Sequence, residues 1–412
     1  MTQLLLREYA IGHALGRDAH VEAHSAPPTG RTAAEPILAL DVVTTFTGLE
    51  ALEDDWNALF AASARSGQVF QSFNWCWHWC RHYLGESRRG PSLAVVTGRF
   101  DGRLVLIMPL VSERAHGVTT LSWLGEPVSQ YGDIVVAPEA AGLDGLEAAW
   151  RLAVARTRAD VANLRRVRAD AAVAPLLDRL DAAVTAVEEA PFLALSGDTS
   201  FAGWETRRQP KARKNRRRQA RRLADTGEIA FASHSGTPEA GRLAGEAVRL
   251  KRATLGAKGA FSLALADERF EAFFAEAAAS TSRPAGVTVL ALTSDGAPAA
   301  LKILVETGDT ACLHVAVFEP RFEKCGAGGL LLEHVVERTI AARRATFDLL
   351  PPRHDYKMEF ADGIVVVADH ALAVSTTGWL YTNGFLRVRR RLKATIEGLP
   401  LPVRRILAKL AG

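Results

Sequence analysis

Four polar side chains in the last third of the sequence could carry out acid–base chemistry. Asp348 ends an apolar stretch, Tyr356 and Lys357 follow it in a polar segment, and His314 lies in the apolar segment 311–317. A carboxylate or imidazole can accept a proton, a phenol can protonate a leaving group, and an ammonium can bind a phosphate or an oxyanion. We predict these four residues as catalytic. The structural alternatives are a loop-capping Asp348, a surface ion pair of Lys357 and a core histidine.

A glycine-rich segment precedes the apolar helical pattern that begins near residue 327. Its residues, Gly326, Ala327, Gly328 and Gly329, follow a predicted strand. The first turn of a helix has free amides and the positive end of the helix dipole, and glycine lets a ligand approach the backbone closely. We therefore predict a phosphate cradle at these four residues, with Arg321 and Lys324 beside it. The pyrophosphate of coenzyme A fits such a cradle.

Positive charge is clustered along the chain, although the net charge is only +4. Ten of the sixteen residues from Arg207 to Arg222 are basic and none is acidic, and a second basic cluster runs from Arg387 to Lys409. Such runs often form solvated helix faces, but they also suit anionic partners.

Length and composition predict two folded domains. The chain has 412 residues, of which 48% are hydrophobic and 23% charged, as in globular proteins. No apolar run is long enough to cross a bilayer, and Arg7 and Glu8 interrupt the opening where a signal peptide needs apolar residues. We expect a cytoplasmic protein whose four cysteines stay reduced.

A β-hairpin recurs in the sequence. Residues 93–113 align without gaps on residues 287–307, so that the Asp101-Gly102 turn falls on Asp295-Gly296. In both copies a helical stretch precedes the hairpin, and another strand and a helix follow it. The repeat predicts a duplicated α/β unit.

The repeat and the composition together suggest domain limits. We predict a flexible N-terminal tail at 1–36, a first domain at 37–195, a second domain at 196–385 that contains a basic helix at 207–222, and a basic amphipathic tail at 386–412.

A metal site is not expected. Cys76 and Cys80 are one i,i+4 pair on a predicted helix, and His78 and His82 are another. Two residues turn a helix by about 200°, so the two pairs point to nearly opposite faces and cannot converge on one ion.

The second domain resembles a family of bacterial acyltransferases. The basic stretch KARKNRRRQARRLADTGEIAF, the hairpin DGAPAALKI, the helix start GGLLL and the closing FDLL and DYKMEF occur in this order. This order resembles the CelD/BcsL acyltransferases, which are GNAT-like proteins similar in architecture to the Fem peptidoglycan transferases. The resemblance covers about residues 40–385, and FQSFNWCWHW and SWLGEPVSQYGDIV match the first half of the family. It implies an α/β (α+β) fold of two tandem GNAT-like domains, each a mixed, mostly antiparallel sheet flanked by helices.

The resemblance also implies an activity. Members of this family transfer an acyl group from a thioester to an amine or hydroxyl during exopolysaccharide synthesis, which includes cellulose-like and holdfast polymers. We therefore expect an N-acyltransferase that uses acetyl-CoA or another acyl-CoA, without a metal, on an amino sugar of a polysaccharide precursor; O-transfer is the close alternative. The residues expected to hold this acceptor are Gln130, Tyr131 and Asp133 in the first domain and Lys211, Lys214 and Arg217 on the basic helix.

Several alternatives remain open from the sequence. Glu323 stands where ordinary GNAT enzymes have Gln or Arg, so either this acid points away from the phosphates or the donor is not standard coenzyme A. A Fem-like transferase that uses aminoacyl-transfer RNA would explain the basic helix. The C-terminal tail could contact an anionic inner membrane, bind cyclic di-GMP in a non-catalytic scaffold protein, or pack with its charges in solvent. No DNA partner is expected.

Overall fold

The computed structural model describes residues 37–85 and 90–385. The predicted tails at 1–36 and 386–412 lie outside these residues. The described residues from Leu38 onward belong to one compact unit. None of the described helices is long and apolar enough to span a bilayer.

The first half of the chain alternates helices with mostly antiparallel strands. Its strands are β1 (Ala39–Val43), β2 (Ser92–Leu93), β3 (Val95–Phe100), β4 (Arg103–Met108), β5 (Leu110–Ala115), β6 (Val118–Trp123), β7 (Val135–Val136), β8 (Val161–Arg168) and β9 (Ala183–Ala194). Its helices are α1 (Phe46–Glu50), α2 (Glu53–Ser63), α3 (Phe73–Tyr83), α4 (Leu143–Thr157) and α5 (Ala174–Arg179).

The second half begins with two helices. These are α6 (Phe201–Thr206) and the basic helix α7 (Pro210–Ala224). The strands that follow are β10 (Ile229–His234), β11 (Val287–Ser294), β12 (Ala297–Thr307), β13 (Thr310–Phe318), β14 (Thr346–Asp348) and β15 (Gly363–Ala373). The other helices are α8 (Pro238–Ala257), α9 (Leu263–Ala266), α10 (Glu268–Ala279), α11 (Ala327–Ala341), α12 (Asp355–Met358) and α13 (Thr376–Leu380).

The two halves repeat the same unit, as the sequence predicts. The hairpins β3–β4 and β11–β12 both turn through an Asp-Gly pair with positive φ, at 48° and 82° in the first half and at 49° and 75° in the second. These values are typical of a two-residue hairpin turn. Each half also has one parallel strand pair, β6 with β8 and β13 with β14, joined through a helix. The fold is thus a tandem α/β arrangement.

One large sheet joins the halves. Its eleven strands run in the order β10-β11-β12-β13-β14-β9-β15-β8-β6-β5-β2, and a second sheet has the order β1-β3-β4-β7. The halves exchange their last strands, because β9 pairs with β14 of the second half and β15 pairs with β8 of the first. The predicted boundary near residue 195 falls just after β9, but the sheet continues across it.

Helix α3 packs the aromatic stretch of the sequence into the core. Cys76 and Cys80 are buried free thiols, and burial raises the pKa of both. His78 and His82 turn to the other side, where both contact the carboxylate of Glu276 on α10, at 3.3 Å and 2.9 Å. The two pairs therefore diverge, and the described residues contain no cluster that could hold a metal ion.

Candidate active site

The parallel strands β13 and β14 part in the middle of the second half. The two strands pair only at Thr310–Cys312 and Thr346–Asp348. Beyond this point β13 continues to Phe318 and, of the described strands, is paired with β12 only. A bulge at His314 marks this point, because Ile303 pairs with Val315 whereas Leu304 pairs with Leu313. A bulge inserts one residue and bends its strand. The result is a gap between the strands, which we call the splay.

Two lysines donate to backbone carbonyls along the splay. Lys251 on α8 donates its Nζ to the carbonyl of Ala316 at 3.1 Å. Lys357 donates to the carbonyls of Leu350 and Pro352 at 2.6 Å and 2.9 Å. Burial is the main cause that lowers the pKa of both, to about 8 for Lys357. Lys357 therefore does not form the surface ion pair considered from the sequence.

A third lysine lies within the sheet itself. Lys302 on β12 is only 2% exposed and pairs across the sheet with Ala316. Its neighbours Ala300 and Leu304 pack in the cluster that contains α11, so alternation along the strand directs Lys302 toward α11 as well. Burial, Lys251 and Arg216 lower its pKa to about 7. Among the described residues the ammonium has no hydrogen-bond or ion-pair partner.

This surplus of positive charge suggests a missing anion. Lys302, Lys251 and Arg216 interact electrostatically, and no carboxylate is among the groups that shift the pKa of Lys302. Burying an ammonium without a partner is costly, and natural proteins seldom leave such a group unsatisfied. The arrangement can bind a phosphate or a developing oxyanion.

The glycine loop is more crowded than the sequence predicts. The amides of Gly326 and Gly329 donate within the loop, to the carbonyls of Glu323 and Gly326, each at 3.0 Å. A Cβ at Gly326 would meet Gln219 and a Cβ at Gly329 would meet Arg216, so these glycines let α7 pack on the start of α11. The prediction of an open four-residue cradle is therefore corrected.

Part of the helix start is nevertheless free to bind an anion. Among the described residues, Ala327 is fully buried at this helix start, whereas Gly328 is half-buried and its amide has no acceptor in the loop. The guanidinium of Arg216 lies over Gly329, where it adds positive charge to the helix N-terminus. An anion at this helix start would meet the amide of Gly328 and Arg216.

The charged side chains before the glycines point to solvent. Arg321, Glu323 and Lys324 are exposed, and the guanidinium of Arg321 stacks on Phe322 at 4.6 Å from the ring centre. Glu323 uses its carbonyl to accept from Gly326. Of the two explanations for this acid, the structure favours the one in which it points away from the phosphates.

A cavity of about 330 Å³ lies between α7, α11 and the end of α12. We call it the arginine pocket, because Arg207, Arg208, Arg213 and Arg216 line it, together with Trp204, Glu333, Met358 and Phe360. Arg208 stacks on Trp204 and Arg216 on Phe360, at 4.5 Å and 5.2 Å from the ring centres. The predicted anion contacts Lys211, Lys214 and Arg217 are exposed elsewhere on α7 and do not line it.

Glu333 is one of three acidic groups in the wall of this pocket, with Glu205 and Glu359. It lies 3.1 Å from Arg216, and burial raises its pKa to about 7. Arg216 also contacts Glu359 at 3.4 Å. An anionic ligand would compete with these carboxylates for the guanidinium. Arg216 lines the pocket and also lies beside the helix start, so one ligand could contact both.

Asp348 links the two halves. It is 2% exposed, accepts the Tyr131 hydroxyl at 2.9 Å, and forms an ion pair of 2.8 Å with Arg168. The amide of Leu350 donates to it at 2.8 Å. Although burial raises its pKa, these donors occupy the carboxylate. The predicted proton acceptor is therefore a positioning group, and Tyr131 serves the same contact rather than an acceptor sugar.

His314 and Tyr356 differ in how open they are. His314 donates its Nε2–H to the carbonyl of Val128 at 2.6 Å, and burial lowers its pKa to about 4, so the ring is neutral at pH 7. Tyr356 is 43% exposed and stacks on His354 with ring centres 6.0 Å apart. Tyr356 can therefore reach a ligand, whereas His314 fixes the loop that contains Val128.

The other predicted acceptor residues separate into two groups. Asp133 is buried and accepts from Gln68 at 2.7 Å and from the amides of Ala172 and Val173, which makes it structural. Gln130 is half-buried and accepts from the guanidinium of Arg166. Arg166, which contacts Gln130, also influences the pKa of Lys357.

Comparison with known proteins agrees with this geometry. Residues 210–358 match a family model described as an acetyltransferase (GNAT) domain. The second half contains a GNAT domain. It spans the basic helix, the splay, the glycine loop and Lys357, and it makes this half an acyltransferase domain. No curated protein matches the chain by sequence.

Solved structures show the same overall fold at low identity. The structure of FemX has a TM-score of 0.57 and 10% identity, and the match covers 81% of this chain and 98% of that one. The C-terminal domain of a putative lysylphosphatidylglycerol synthetase from Agrobacterium fabrum has a TM-score of 0.50 and 11% identity, over 82% and 96% of the chains. A conserved protein of unknown function from Bacteroides thetaiotaomicron gives 0.50 and 12%, over 82% and 100%.

The sequence alone did not lead us to predict Lys302, a buried lysine of the GNAT domain. Lys302 interrupts the otherwise apolar segment ALKILV of β12, where every neighbour is buried. A lone lysine at an inward position of a strand is a detectable signal, because buried lysines are rare. Lys251 and Arg216 gave no such signal, since each lies in a helix rich in charged residues.

Proposed function

We propose that the GNAT domain transfers an acyl group from a phosphate-bearing carrier, and that this carrier is acetyl-CoA or a related acyl-CoA. The observation that supports this most is the buried, unpartnered ammonium of Lys302 next to the splay. A phosphate near Lys302 and Arg216 would supply the anion that the protein does not. The amide of Gly328 would add one hydrogen bond.

The surrounding surfaces suit the rest of such a donor. The arginine pocket offers four guanidinium groups and two aromatic rings, which suit further phosphates and a base. The gap between β13 and β14 suits a narrow chain that ends in a thioester. Lys357, with its pKa lowered to about 8, and the exposed Tyr356 lie in the same segment and are the candidates to stabilise an oxyanion and to protonate the leaving thiolate.

For the acceptor we propose an amine of an amino sugar in an exopolysaccharide or its precursor, with O-transfer as the alternative. This rests on the resemblance to the CelD/BcsL acyltransferases. Gln130 and Arg166 are the described groups that offer hydrogen bonds on the side of the first half. The expected cyclic di-GMP and membrane contacts concern the C-terminal tail, outside the described residues, and stay predictions.

One observation favours a second donor. Helix α7 exposes Lys211, Lys214, Arg217, Arg218, Arg221 and Arg222 outside the arginine pocket. This is more positive charge than a diphosphate needs, and it suits a long polyanion such as the aminoacyl-transfer RNA of Fem-type transferases.

Acetyl-CoA is expected to stabilise the pure protein. A ligand at one hundred times its dissociation constant adds about 2.7 kcal/mol to the free energy of unfolding, which thermal unfolding with and without acetyl-CoA detects. With an amino sugar present, thiol release measured colorimetrically should follow. If no acyl-CoA raises the unfolding temperature, and the protein retains charged transfer RNA in a salt-dependent manner, acyl-CoA is not the donor. Aminoacyl-transfer RNA then becomes the proposed donor.

A further inference from the structure

A loop of the first half lies against the splay. In residues 124–131 the carbonyl of Val128 contacts His314, at the bulge where β13 leaves β14. Two indoles of α3 fix this loop: Trp75 donates to the hydroxyl of Ser129 at 2.9 Å, and Trp79 donates to the carbonyl of Glu126 at 2.7 Å. These three contacts hold the loop of the first half against the splay.

One oxygen of the Glu126 carboxyl group in this loop has no partner in the described part of the chain, although the side chain is 23% exposed and the backbone amide of Arg165 favours its ionised form. Its Oε1 is buried and has no hydrogen bond among the residues described here. Its Oε2 lies 3.9 Å from the guanidinium of Arg165, which is too far for a hydrogen bond. A buried polar atom that no protein group satisfies is uncommon and often has a role in function.

The charged groups that face Glu126 belong to β8 and β15. Arg165 and Arg166 favour its ionised form, Asp369 opposes it, and burial outweighs them, so the pKa of Glu126 is raised to about 7. Arg166 also contacts Gln130 and influences His314 and Lys357. Glu126 therefore belongs to the cluster between the loop and the splay, and it can be ionised or protonated near neutral pH.

We propose that Glu126 is the base that removes a proton from the acceptor amine of the transfer reaction. This rests on the proposed function. The ammonium of the acceptor gives one proton to the Glu126 carboxylate, and the neutral nitrogen then forms a bond to the thioester carbonyl carbon. The carbon–sulfur bond breaks, the thiolate takes the second proton of the nitrogen, and Glu126 returns its proton to water. An amine that is protonated near neutral pH needs this step, because an ammonium has no lone pair for the attack.

The test compares Glu126→Gln with Glu113→Gln, an exposed carboxylate on β5 that serves as the matched control. With acetyl-CoA and glucosamine, Glu126→Gln should lower kcat about 100-fold, which is the usual size of a lost general base, and leave the KM for acetyl-CoA unchanged. The rise of the wild-type rate with pH near 7 should disappear. Equal turnover in Glu126→Gln and wild type would overturn the proposal.

A second measurement does not depend on turnover. Because the folded pKa of Glu126 lies above the unfolded value of about 4.5, ionisation costs stability in the folded state. The wild type should therefore lose stability relative to Glu126→Gln as the pH rises from 4.5 through 7, and Glu113→Gln should not show this. Parallel stability curves would overturn the proposal. Failure of acetyl-CoA to shift the unfolding of wild type contradicts the proposed donor instead, which keeps the two failures distinct.

Discussion

Replacing Lys302 with methionine is expected to weaken acetyl-CoA binding while making the free protein more stable. Loss of one charge-assisted hydrogen bond, about 1.5–3 kcal/mol, corresponds to a roughly 10- to 100-fold weaker affinity. In the free protein the ammonium is buried with only Lys251 and Arg216 nearby, so its removal relieves a cost. Calorimetric titration measures the first effect and chemical denaturation the second.

The gain in stability depends on pH in a defined direction. The pKa of Lys302 is lowered from 10.5 to about 7, so between these values the unfolded chain binds more protons and wild-type stability rises with pH. Lys302→Met lacks this rise. The free energy of unfolding of Lys302→Met therefore exceeds that of the wild type most at pH 7 and below, by on the order of 2–4 kcal/mol. This difference becomes smaller toward pH 10. Arg156→Met, at an exposed position on α4 of the first half, is the control and should leave both the affinity and the pH dependence of stability unchanged. If Lys302→Met is less stable than the wild type at pH 6, the conclusion that the Lys302 ammonium has no partner is wrong.

Replacing Asp348 with alanine is expected to cost about 3–5 kcal/mol of the free energy of unfolding, as for other buried ion pairs from which one partner is removed. Arg168 is only 12% exposed and would keep its charge with Asp170 as its remaining carboxylate partner, and the Tyr131 hydroxyl would lose its acceptor. The effect should be large because these contacts join the two halves beside the splay.

Two milder variants separate the parts of this contact. Asp348→Asn keeps the shape and one acceptor, and Tyr131→Phe removes a single hydrogen bond to the carboxylate, about 1.5–3 kcal/mol. Denaturant unfolding should therefore rank Asp348→Ala as the most damaging and Tyr131→Phe as the least. A loss below 1 kcal/mol for Asp348→Ala would show that the halves do not depend on this ion pair.

The repeated architecture was predictable from local sequence signals. The Asp-Gly turns at 101–102 and 295–296 require the left-handed backbone that the structure shows at both places. The basic helix was expected at 207–222 and runs from Pro210 to Ala224, where proline favours the first turn. The exchange of β9 and β15 was not predictable, because strand pairing between distant segments depends on the whole sheet.

The site was only partly predictable for a similar reason. The glycines at the start of α11 indicate that another group lies close to the backbone there. The sequence alone does not show whether this group is a phosphate or, as in the structure, the side chains of Arg216 and Gln219. Asp348 has the residue type and the position expected of a base. However, Tyr131 and Arg168, both more than 170 residues away in the chain, donate hydrogen bonds to its carboxylate. Such contacts decide the role of a polar residue and appear only in three dimensions.

Titration of acetyl-CoA into the wild type and Lys302→Met at pH 8, in two buffers of different ionisation enthalpy, tests the central claim most directly. At this pH most Lys302 side chains are neutral, since the pKa is about 7, and a phosphate beside the amine would raise that pKa. The account predicts that the wild type binds with uptake of up to about one proton and that Lys302→Met binds more weakly without it. Equal affinity of the two proteins, with no proton uptake in either, would contradict it.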